Sequence, residues 1–119
     1  MTQEEKRLLL VDLCARLPYE TIVRNYATDE DDVLTYTLLD DFEIVGLERI
    51  KPYLRPMSNM TEDEKLEIKS YLCSIEGQLI GDNGRHIWYF DYLKEHHFDF
   101  RKLIEKGLAL EAPKDMYQK

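Results

Sequence analysis

The chain contains few of the residues that cross-link or interrupt small folds, with two cysteines, four prolines and five glycines among 119 residues. The two cysteines, Cys14 and Cys73, are too few for the disulfide framework of a small secreted scaffold. We therefore expect two free, reduced thiols. Each falls on the apolar face of a predicted helix, so we expect both to be buried as small hydrophobic side chains.

Long apolar segments are also absent. The longest uninterrupted runs, Leu8–Val11 and Ile87–Phe90, are far too short to cross a bilayer. Residues Met1–Lys6 lead directly into a charged amphipathic segment, which is not the pattern of a secretory signal peptide. The sequence therefore predicts a cytoplasmic protein that does not associate with membranes.

The sequence shows no familiar catalytic or cofactor motif. It lacks the GxSxG, P-loop, HExxH and dinucleotide-binding glycine patterns. The glycine-rich turn Gly81–Gly84 is not followed by the Lys-Ser/Thr pair of a phosphate-binding loop. We expect no cofactor, and we favour a protein that is not an enzyme.

Acidic residues are in excess. Asp and Glu number 24 against 16 Lys and Arg, which gives a net charge of −8 shared by both halves of the chain. Such a surface repels phosphate and no Lys/Arg run offsets it, so we expect no nucleic-acid partner. A hydrophobic fraction of 44% can form one buried core. We expect a single domain over residues 1–113 and a flexible tail over residues 114–119.

The first half of the chain predicts one helix followed by short strands. A capping box at Thr2 and Glu5 begins a helix over residues 2–16, and Pro18 ends it. The predicted core stripe of this helix is Leu10, Leu13, Cys14 and Leu17. Patterns rich in β-branched and alternating residues predict strands at 21–27, 33–39 and 42–46. Residues 47–50 either continue the sheet or start a short fourth strand.

The acidic run Asp29–Asp32 lies between the first two predicted strands. A calcium-binding loop needs spaced ligands and a central glycine, and here the acids are consecutive and no glycine is present. We interpret the run as a solvated hairpin loop. The predicted fold is therefore α+β: an N-terminal helix, a small antiparallel sheet of three to four strands forming a partial barrel, and C-terminal helices.

The segment Lys51–Thr61 (KPYLRPMSNMT) connects the two halves. Its two prolines hold the preceding residues extended. Apolar side chains along it favour a strap that lies on the protein, and Pro52 and Tyr53 are predicted to matter more for stability than the acidic run. A second capping box then begins a helix that extends from Thr61 to about Glu76.

Residues 77–90 allow two interpretations. They form either a hairpin whose return strand is Ile87–Phe90, or the approach to a helix over His86–His96. We favour the helix because four bulky side chains follow helical spacing: Tyr89, Tyr92, Leu93 and His96. Downstream, Asp99 caps a short predicted helix, Phe100–Lys106, which Gly107 closes before an edge strand at 108–112.

Aromatic residues are dense after the Gly81–Gly84 turn, and one helix face cannot bury them all. Exposed Trp and Tyr side chains anchor many protein interfaces. We therefore predict a partner-binding surface formed by Trp88, Tyr89 and Tyr92, together with Tyr53 and Arg55 of the strap. Packing of the same aromatic side chains in a core shared by two helix faces is the competing interpretation.

Histidines suggest an alternative. His86, His96, His97 and Asp99 form the best cluster of metal-ligating residue types. Adjacent histidines on a helix point about 100° apart, so His96 and His97 cannot easily ligate the same ion. Cys73 could in principle pair with a histidine as a nucleophile, although its position beside an apolar stripe argues against an activated thiolate.

Two segments suggest a relationship to other proteins. They are Lys51–Thr61, which is followed by acidic helix-capping residues, and Asp91–Tyr117 (DYLKEHHFDFRKLIEKGLALEAPKDMY), and together they cover about a third of the chain. Both resemble segments of small uncharacterised proteins from gut Bacteroides-type bacteria and their phages or mobile elements. The resemblance implies a mobile-element origin. It carries no assigned activity and therefore no site residues.

These observations predict a non-enzymatic protein-interaction or accessory module of phage or mobile-element origin. We expect its partner to be another protein or a second copy of the chain. The alternative is a small metal-binding protein or hydrolase that uses the cluster of histidines and Asp99.

Overall fold

The computed structural model of the chain describes residues 1–117, without the side chains of residues 43–45. The helices are α1 (Gln3–Arg16), α2 (Tyr36–Val45), α3 (Glu62–Leu72), α4 (Ile75–Leu79) and α5 (Gly81–Glu95). The strands are β1 (Ile22–Asn25), β2 (Glu30–Val33), β3 (Ile50–Leu54) and β4 (Leu110–Glu111). The prediction of an α+β fold with an N-terminal helix, a small sheet and C-terminal helices is confirmed.

Helix α1 begins at the predicted capping box. The Thr2 hydroxyl accepts a hydrogen bond from the Glu5 N–H at 3.1 Å, and the Glu5 carboxylate accepts one from the Thr2 N–H at 3.0 Å. The buried face of the helix differs from the predicted stripe. It consists of Leu9, Asp12, Leu13 and Arg16. These residues also follow helical spacing, but the stripe is shifted by one residue towards the N-terminus of the chain.

Both cysteines are exposed, so the expectation of buried thiols is wrong. At Cys14 the reason is the ion pair between Asp12 and Arg16, which occupies the inner face of α1. The hydrophobic pattern assigned that face to Cys14 and its apolar neighbours. Cys73 is the residue that follows α3, where the chain turns towards α4.

The sheet is open and mixed, with strand order β2-β1-β3-β4. Strand β1 pairs antiparallel with β2 and with β3, and β4 pairs parallel with β3. The prediction of an antiparallel sheet that forms a partial barrel is therefore wrong in its last strand pair, and among the described residues the sheet stays open, with β2 and β4 as its edges. The parallel pair arises because the chain passes through three helices between β3 and β4. Most of β3 comes from the predicted strap, with Pro52 opposite Val23 in the ladder.

The strands predicted at 33–39 and 42–46 are wrong, since most of this region forms α2. The Thr35 hydroxyl caps α2 by accepting a hydrogen bond from the Leu38 N–H at 3.2 Å. Leu39 and Phe42, three residues apart, both enter the core. The cap and this spacing outweigh the strand preference of the threonines and tyrosine near residue 36. Residues 47–49, predicted to continue the sheet, form a 3-10 turn.

The acidic run Asp29–Asp32 is only partly a loop, because β2 begins at Glu30. The Arg24 guanidinium pairs with Asp29 at 2.5 Å and with Asp31 at 3.3 Å. These contacts cross the β1–β2 hairpin. The acids therefore support a strand pair as well as facing solvent.

The helical interpretation of residues 77–90 is confirmed, because α4 and α5 together occupy most of them. The predicted helix over Thr61–Glu76 ends earlier, at Leu72, where Ser74 begins α4 by capping the Gly77 N–H at 3.1 Å. A Cβ at Gly77 would lie 2.3 Å from the Tyr71 carbonyl oxygen. Glycine is therefore required for the close approach of α4 to the end of α3.

The short helix predicted over Phe100–Lys106 does not form; the segment consists of turns. The Asp99 carboxylate still accepts hydrogen bonds from two backbone N–H groups further along the chain, at 2.9 Å each. Lys102 interrupts the helix because its φ is +60°. Gly107 has a φ of +73°, as its predicted closing role requires.

Tyr117, which the sequence places in a flexible tail, is held by the sheet. Its hydroxyl donates to the Tyr53 carbonyl at 2.8 Å and accepts from the Ile22 N–H at 2.9 Å. Its ring stacks on His97 with centroids 3.7 Å apart. The last two residues of the predicted tail, 118–119, lie outside the described residues.

The hydrophobic core lies between α1, α2, the sheet and the segment after α5. Its members are Leu9, Leu13, Val23, Leu34, Leu39, Phe42, Leu47, Ile50, Leu54, Leu103, Leu108 and Ala109. Among the described residues, none from α3, α4 or α5 belongs to this cluster. We call these three helices the helical arm.

The molecule is elongated, with extents of 47 × 28 × 25 Å. Its radius of gyration is 15.5 Å, compared with about 13.5 Å for a compact chain of this length. The separate helical arm is consistent with this shape. In the part of the chain that the structure describes, no helix is long and apolar enough to span a membrane.

Candidate functional site

Arg55, at the end of β3, joins the sheet to the helical arm. Its Nη2 and Nη1 atoms donate hydrogen bonds to the two carboxylate oxygens of Glu64, at 2.7 and 2.9 Å. The guanidinium lies over the ring of Phe98, 4.2 Å from its centroid. Its backbone N–H and carbonyl also bond to the chain after α5, at His97 and Asp99. Arg55 therefore joins β3 to α3 and to the segment that follows α5.

Glu64 is fixed as a carboxylate. It completes a capping box at the start of α3, accepting a hydrogen bond from the Thr61 N–H at 3.0 Å while its own N–H bonds to the Thr61 hydroxyl. Partial burial of Glu64 raises its pKa, but the hydrogen bonds and charge of Arg55 and the Thr61 N–H outweigh this effect. The pKa falls from its ordinary value of 4.5 to about 2.

A cleft of about 500 Å³ lies beside this ion pair. One wall comes from the end of β3, the start of α3 and His96. The C-terminal segment forms the other wall. The lining residues are Arg55, Asn59, Thr61, Glu64, His96, Ala112, Pro113, Lys114 and Tyr117.

His96 is oriented by two neighbours. Its ring stacks on Tyr92 with centroids 4.1 Å apart, and its Nδ1 lies 3.5 Å from a Glu64 oxygen. On the opposite wall, Tyr117 is held by its bonds to the sheet. Burial raises the pKa of Tyr117 to about 12, so its hydroxyl stays protonated near neutral pH. Both walls of the cleft are therefore built from side chains with defined positions.

An aromatic stack joins α3 to α5. Trp88 stacks on Tyr71 at 4.0 Å between centroids and contacts Tyr92 at 5.4 Å. The Tyr92 hydroxyl donates to Glu67 at 3.2 Å, and burial together with this carboxylate raises the pKa of Tyr92. Tyr92 is buried, while Trp88 and Tyr89 are half-buried. These aromatic side chains belong largely to the packing of the helical arm.

The other two residues predicted to bind a partner lie on β3 and at its end. Tyr53 is half-buried, and its hydroxyl donates a hydrogen bond to Asp31 on β2 at 3.1 Å. Arg55 lines the cleft. The five predicted side chains therefore occupy different settings in the fold.

The most exposed apolar side chains of the helical arm are aliphatic. Ile75 and Leu79 share one face of α4 and are 78% and 81% exposed, and Ile87 on α5 is 64% exposed. Leu66 on α3 and Phe90 on α5 are also exposed. The sequence analysis missed this group. Helical spacing predicts that Ile75 is buried in the helix that begins at Thr61, which is wrong, and the density of aromatic residues drew attention away from the aliphatic positions.

The four residues of the metal-binding alternative have separate partners. His86 lies beside Phe90, His96 lies by Glu64, His97 contacts Thr21 and Tyr117, and Asp99 caps the turn that follows it. Among the described side chains, which exclude those of residues 43–45, no group of three or more from His, Cys, Asp and Glu is arranged to hold a metal ion.

A second, more open cleft of about 460 Å³ lies on the helical arm. Cys73 and His86 both line it, together with Asp82, Arg85 and Tyr89. Among the described residues, no hydrogen bond joins the Cys73 thiol to His86, and Arg85 is paired with Asp82. This cleft therefore lacks the thiol–base contact that nucleophilic catalysis requires.

Comparison with known proteins gives no relative from which a function could be transferred. No protein-family model, no curated protein and no solved structure matches the chain.

Proposed function

We propose that the protein is a non-enzymatic interaction or accessory module that binds another protein through the helical arm. The observation that carries this proposal is the exposure of Ile75, Leu79 and Ile87, large aliphatic side chains on helices outside the main core. Burial of such exposed apolar surface by a partner lowers the free energy of the system, because it removes the surface from water.

The acidic charge of the arm favours a basic partner over a second copy of the chain. The arm carries twice as many carboxylates as cations: Glu62, Asp63, Glu64, Glu67, Glu76, Asp82, Asp91 and Glu95 against Lys65, Lys69, Arg85 and Lys94. Three of these cations are already paired within the arm, with Glu62, Asp82 and Asp91. In a two-fold dimer the same acidic rim would face itself, which is unfavourable. A helix with one apolar and one basic face fits better.

The origin and location of the module remain part of the proposal. The resemblance of Lys51–Thr61 and Asp91–Tyr117 to proteins of gut bacteria and their phages supports a mobile-element accessory role. Two exposed, unpaired cysteines suit a reducing compartment, which supports a cytoplasmic location.

The proposal is tested with a helical peptide of leucine and lysine at amphipathic spacing and a matched leucine–glutamate peptide. The chain has one tryptophan, Trp88, on the arm, so its fluorescence reports binding of peptides that lack tryptophan. We expect the wild-type chain to bind the basic peptide, and the Ile75→Ser/Leu79→Ser variant to bind at least tenfold more weakly.

Val11→Ser is the matched control, because Val11 is 49% exposed on α1, outside the arm. Its affinity should equal that of the wild type. Light scattering during size-exclusion chromatography checks self-association, and we expect a monomer. If the Ile75→Ser/Leu79→Ser variant binds the peptide as tightly as the wild type does, the arm is not the interface. If the wild type is a dimer and the Ile75→Ser/Leu79→Ser variant is a monomer, the partner on the arm is a second copy of the chain.

A further inference from the structure

We propose that the cleft beside Arg55 and Glu64 is a binding site for a small organic carboxylate. This site is independent of the interface on the helical arm. Its volume of about 500 Å³ lies within the range of small-molecule sites in proteins. The protein as a whole has a net charge of −8, yet two cations and one carboxylate line this cleft.

The carboxylate of Glu64 and the hydroxyl of Thr61 in the cleft already accept hydrogen bonds. One Glu64 oxygen accepts from Arg55 and the Thr61 N–H, and the other accepts from Arg55 and lies near His96. The Thr61 hydroxyl accepts from the Glu64 N–H. A ligand that brings donors would therefore find few free partners, because these carboxylate and hydroxyl acceptors are in use.

The cleft has a surplus of hydrogen-bond donors. Among the described residues, the ammonium group of Lys114 forms no ion pair and the side-chain amide of Asn59 forms no hydrogen bond. Both residues line the cleft. A carboxylate supplies acceptors for such donors, and a charge-assisted hydrogen bond to Lys114 is stronger than a neutral one.

The remaining surface of the cleft favours a compact apolar body on the ligand. Ala112, Pro113 and Tyr117 form the wall that carries Lys114. Tyr117 is fixed by hydrogen bonds to Ile22 and Tyr53 and by stacking on His97. The wall is thus largely preformed, which lowers the ordering cost of binding.

A carboxylate could come from a free acid or from the C-terminus of a peptide, and the test separates these sources. The probes are 4-methylpentanoate, its neutral amide, and a leucine-ending tetrapeptide with a free or an amidated C-terminus. Binding to the full chain is followed by the backbone amide chemical shifts of Ala112, Lys114 and Tyr117. We expect saturable shifts with a dissociation constant below about 10 mM for at least one carboxylate, and at least tenfold weaker binding of the matching amide.

Lys114 provides the decisive variants because it is exposed, so its substitution leaves the core intact. We expect Lys114→Gln to weaken carboxylate binding at least tenfold and Lys114→Arg to preserve it within threefold. Lys106→Gln removes an exposed lysine elsewhere and should leave binding unchanged. Glu64→Gln releases Arg55 from its carboxylate partner and should strengthen binding.

The outcomes decide the proposal directly. Tighter binding of the free-ended tetrapeptide than of 4-methylpentanoate assigns the site to peptide C-termini, and the reverse order assigns it to free acids. Equal binding of amides and carboxylates would overturn the proposal. So would the absence of saturable shifts with all four probes, or equal losses in Lys114→Gln and Lys106→Gln.

Discussion

Arg55 donates hydrogen bonds of 2.7 and 2.9 Å to the two oxygens of the Glu64 carboxylate, nine residues further along the chain. The same carboxylate closes the Thr61 capping box at the start of α3. One side chain therefore both begins the first helix of the arm and attaches that helix to the end of β3. Loss of this contact should affect the arm and the cleft together.

Glu64→Gln should lower the free energy of unfolding by about 1–2 kcal/mol at pH 7, because it removes the charge from a partly shielded bidentate pair. The pKa of Glu64 is about 2 in the folded state and ordinarily 4.5. The charge of Glu64 thus contributes its full stabilisation at pH values above the ordinary pKa of 4.5. This stabilisation is lost as the pH falls through the folded-state pKa of about 2. Urea denaturation of both proteins at pH 7, 5 and 3 measures the difference, which should shrink only at the lowest pH.

Glu62→Gln is the control for this experiment. Its carboxylate is 91% exposed and pairs only with Lys65, a surface contact of little energetic value. Its effect should be small at every pH. A wild-type advantage over Glu64→Gln that stays constant from pH 7 to pH 3 would contradict the assigned role of the Glu64 charge.

The sequence predicted half of this arrangement. The Thr61–Glu64 capping box depends on four consecutive residues, so its spacing alone identifies it. The pairing of Glu64 with Arg55 depends on where β3 ends relative to α3, which local patterns do not encode. For the same reason the C-terminal wall of the cleft was missed: nothing near Tyr117 in the sequence indicates that its hydroxyl reaches Ile22 and Tyr53.

Asp12→Asn should be among the most destabilising single substitutions in the chain. Asp12 accepts hydrogen bonds from Arg16 at 2.7 Å and from Arg101 at 3.0 Å, and both Asp12 and Arg16 are fully buried. Loss of the carboxylate leaves the Arg16 charge buried without its counter-charge, at a cost of about 3–5 kcal/mol. Chemical denaturation monitored by circular dichroism measures the change.

The double variant Asp12→Leu/Arg16→Met separates the value of the ion pair from the cost of breaking it. It removes both charges and also the buried Arg16 Nη1 atom, which has no hydrogen-bond partner within the described residues. We expect the double variant to be more stable than Asp12→Asn by at least about 2 kcal/mol. A double variant as unstable as the single one would show that shape, rather than charge, governs this site.

This ion pair also explains an error in the sequence analysis. Hydrophobic spacing located the inner face of α1 from Leu10, Cys14 and Leu17, since charged residues are ordinarily placed in solvent. Asp12 and Arg16 are four residues apart and neutralise each other inside the protein. A pattern based on hydrophobicity alone cannot identify such a face. The prediction of an α+β fold was still correct, because the fold class depends on the number and type of secondary-structure elements more than on which face of each element is buried.

Tyr117→Phe should lower the free energy of unfolding by about 1–2 kcal/mol, because the Ile22 N–H and the Tyr53 carbonyl lose a partly buried partner. The phenyl ring keeps the stacking on His97, so the change isolates the hydroxyl. Thermal or urea denaturation gives the size of the effect. Lys114→Gln, in the same segment but exposed, should leave stability unchanged; equal losses in both variants would mean that the segment responds to any substitution.

Pro52→Gly and Tyr53→Ala should each lower stability by about 1–2 kcal/mol, more than a change in the acidic run Asp29–Asp32. Pro52 is buried opposite Val23 in the central ladder, and glycine there also increases the conformational freedom of the unfolded chain. Tyr53→Ala removes a half-buried ring from β3. Asp29→Asn is the comparison, because Asn tolerates the positive φ of +59° at this position and Asp29 is 84% exposed. Melting temperatures that rank Asp29→Asn as the most harmful would show that the hairpin charges, rather than β3, limit the stability of the sheet.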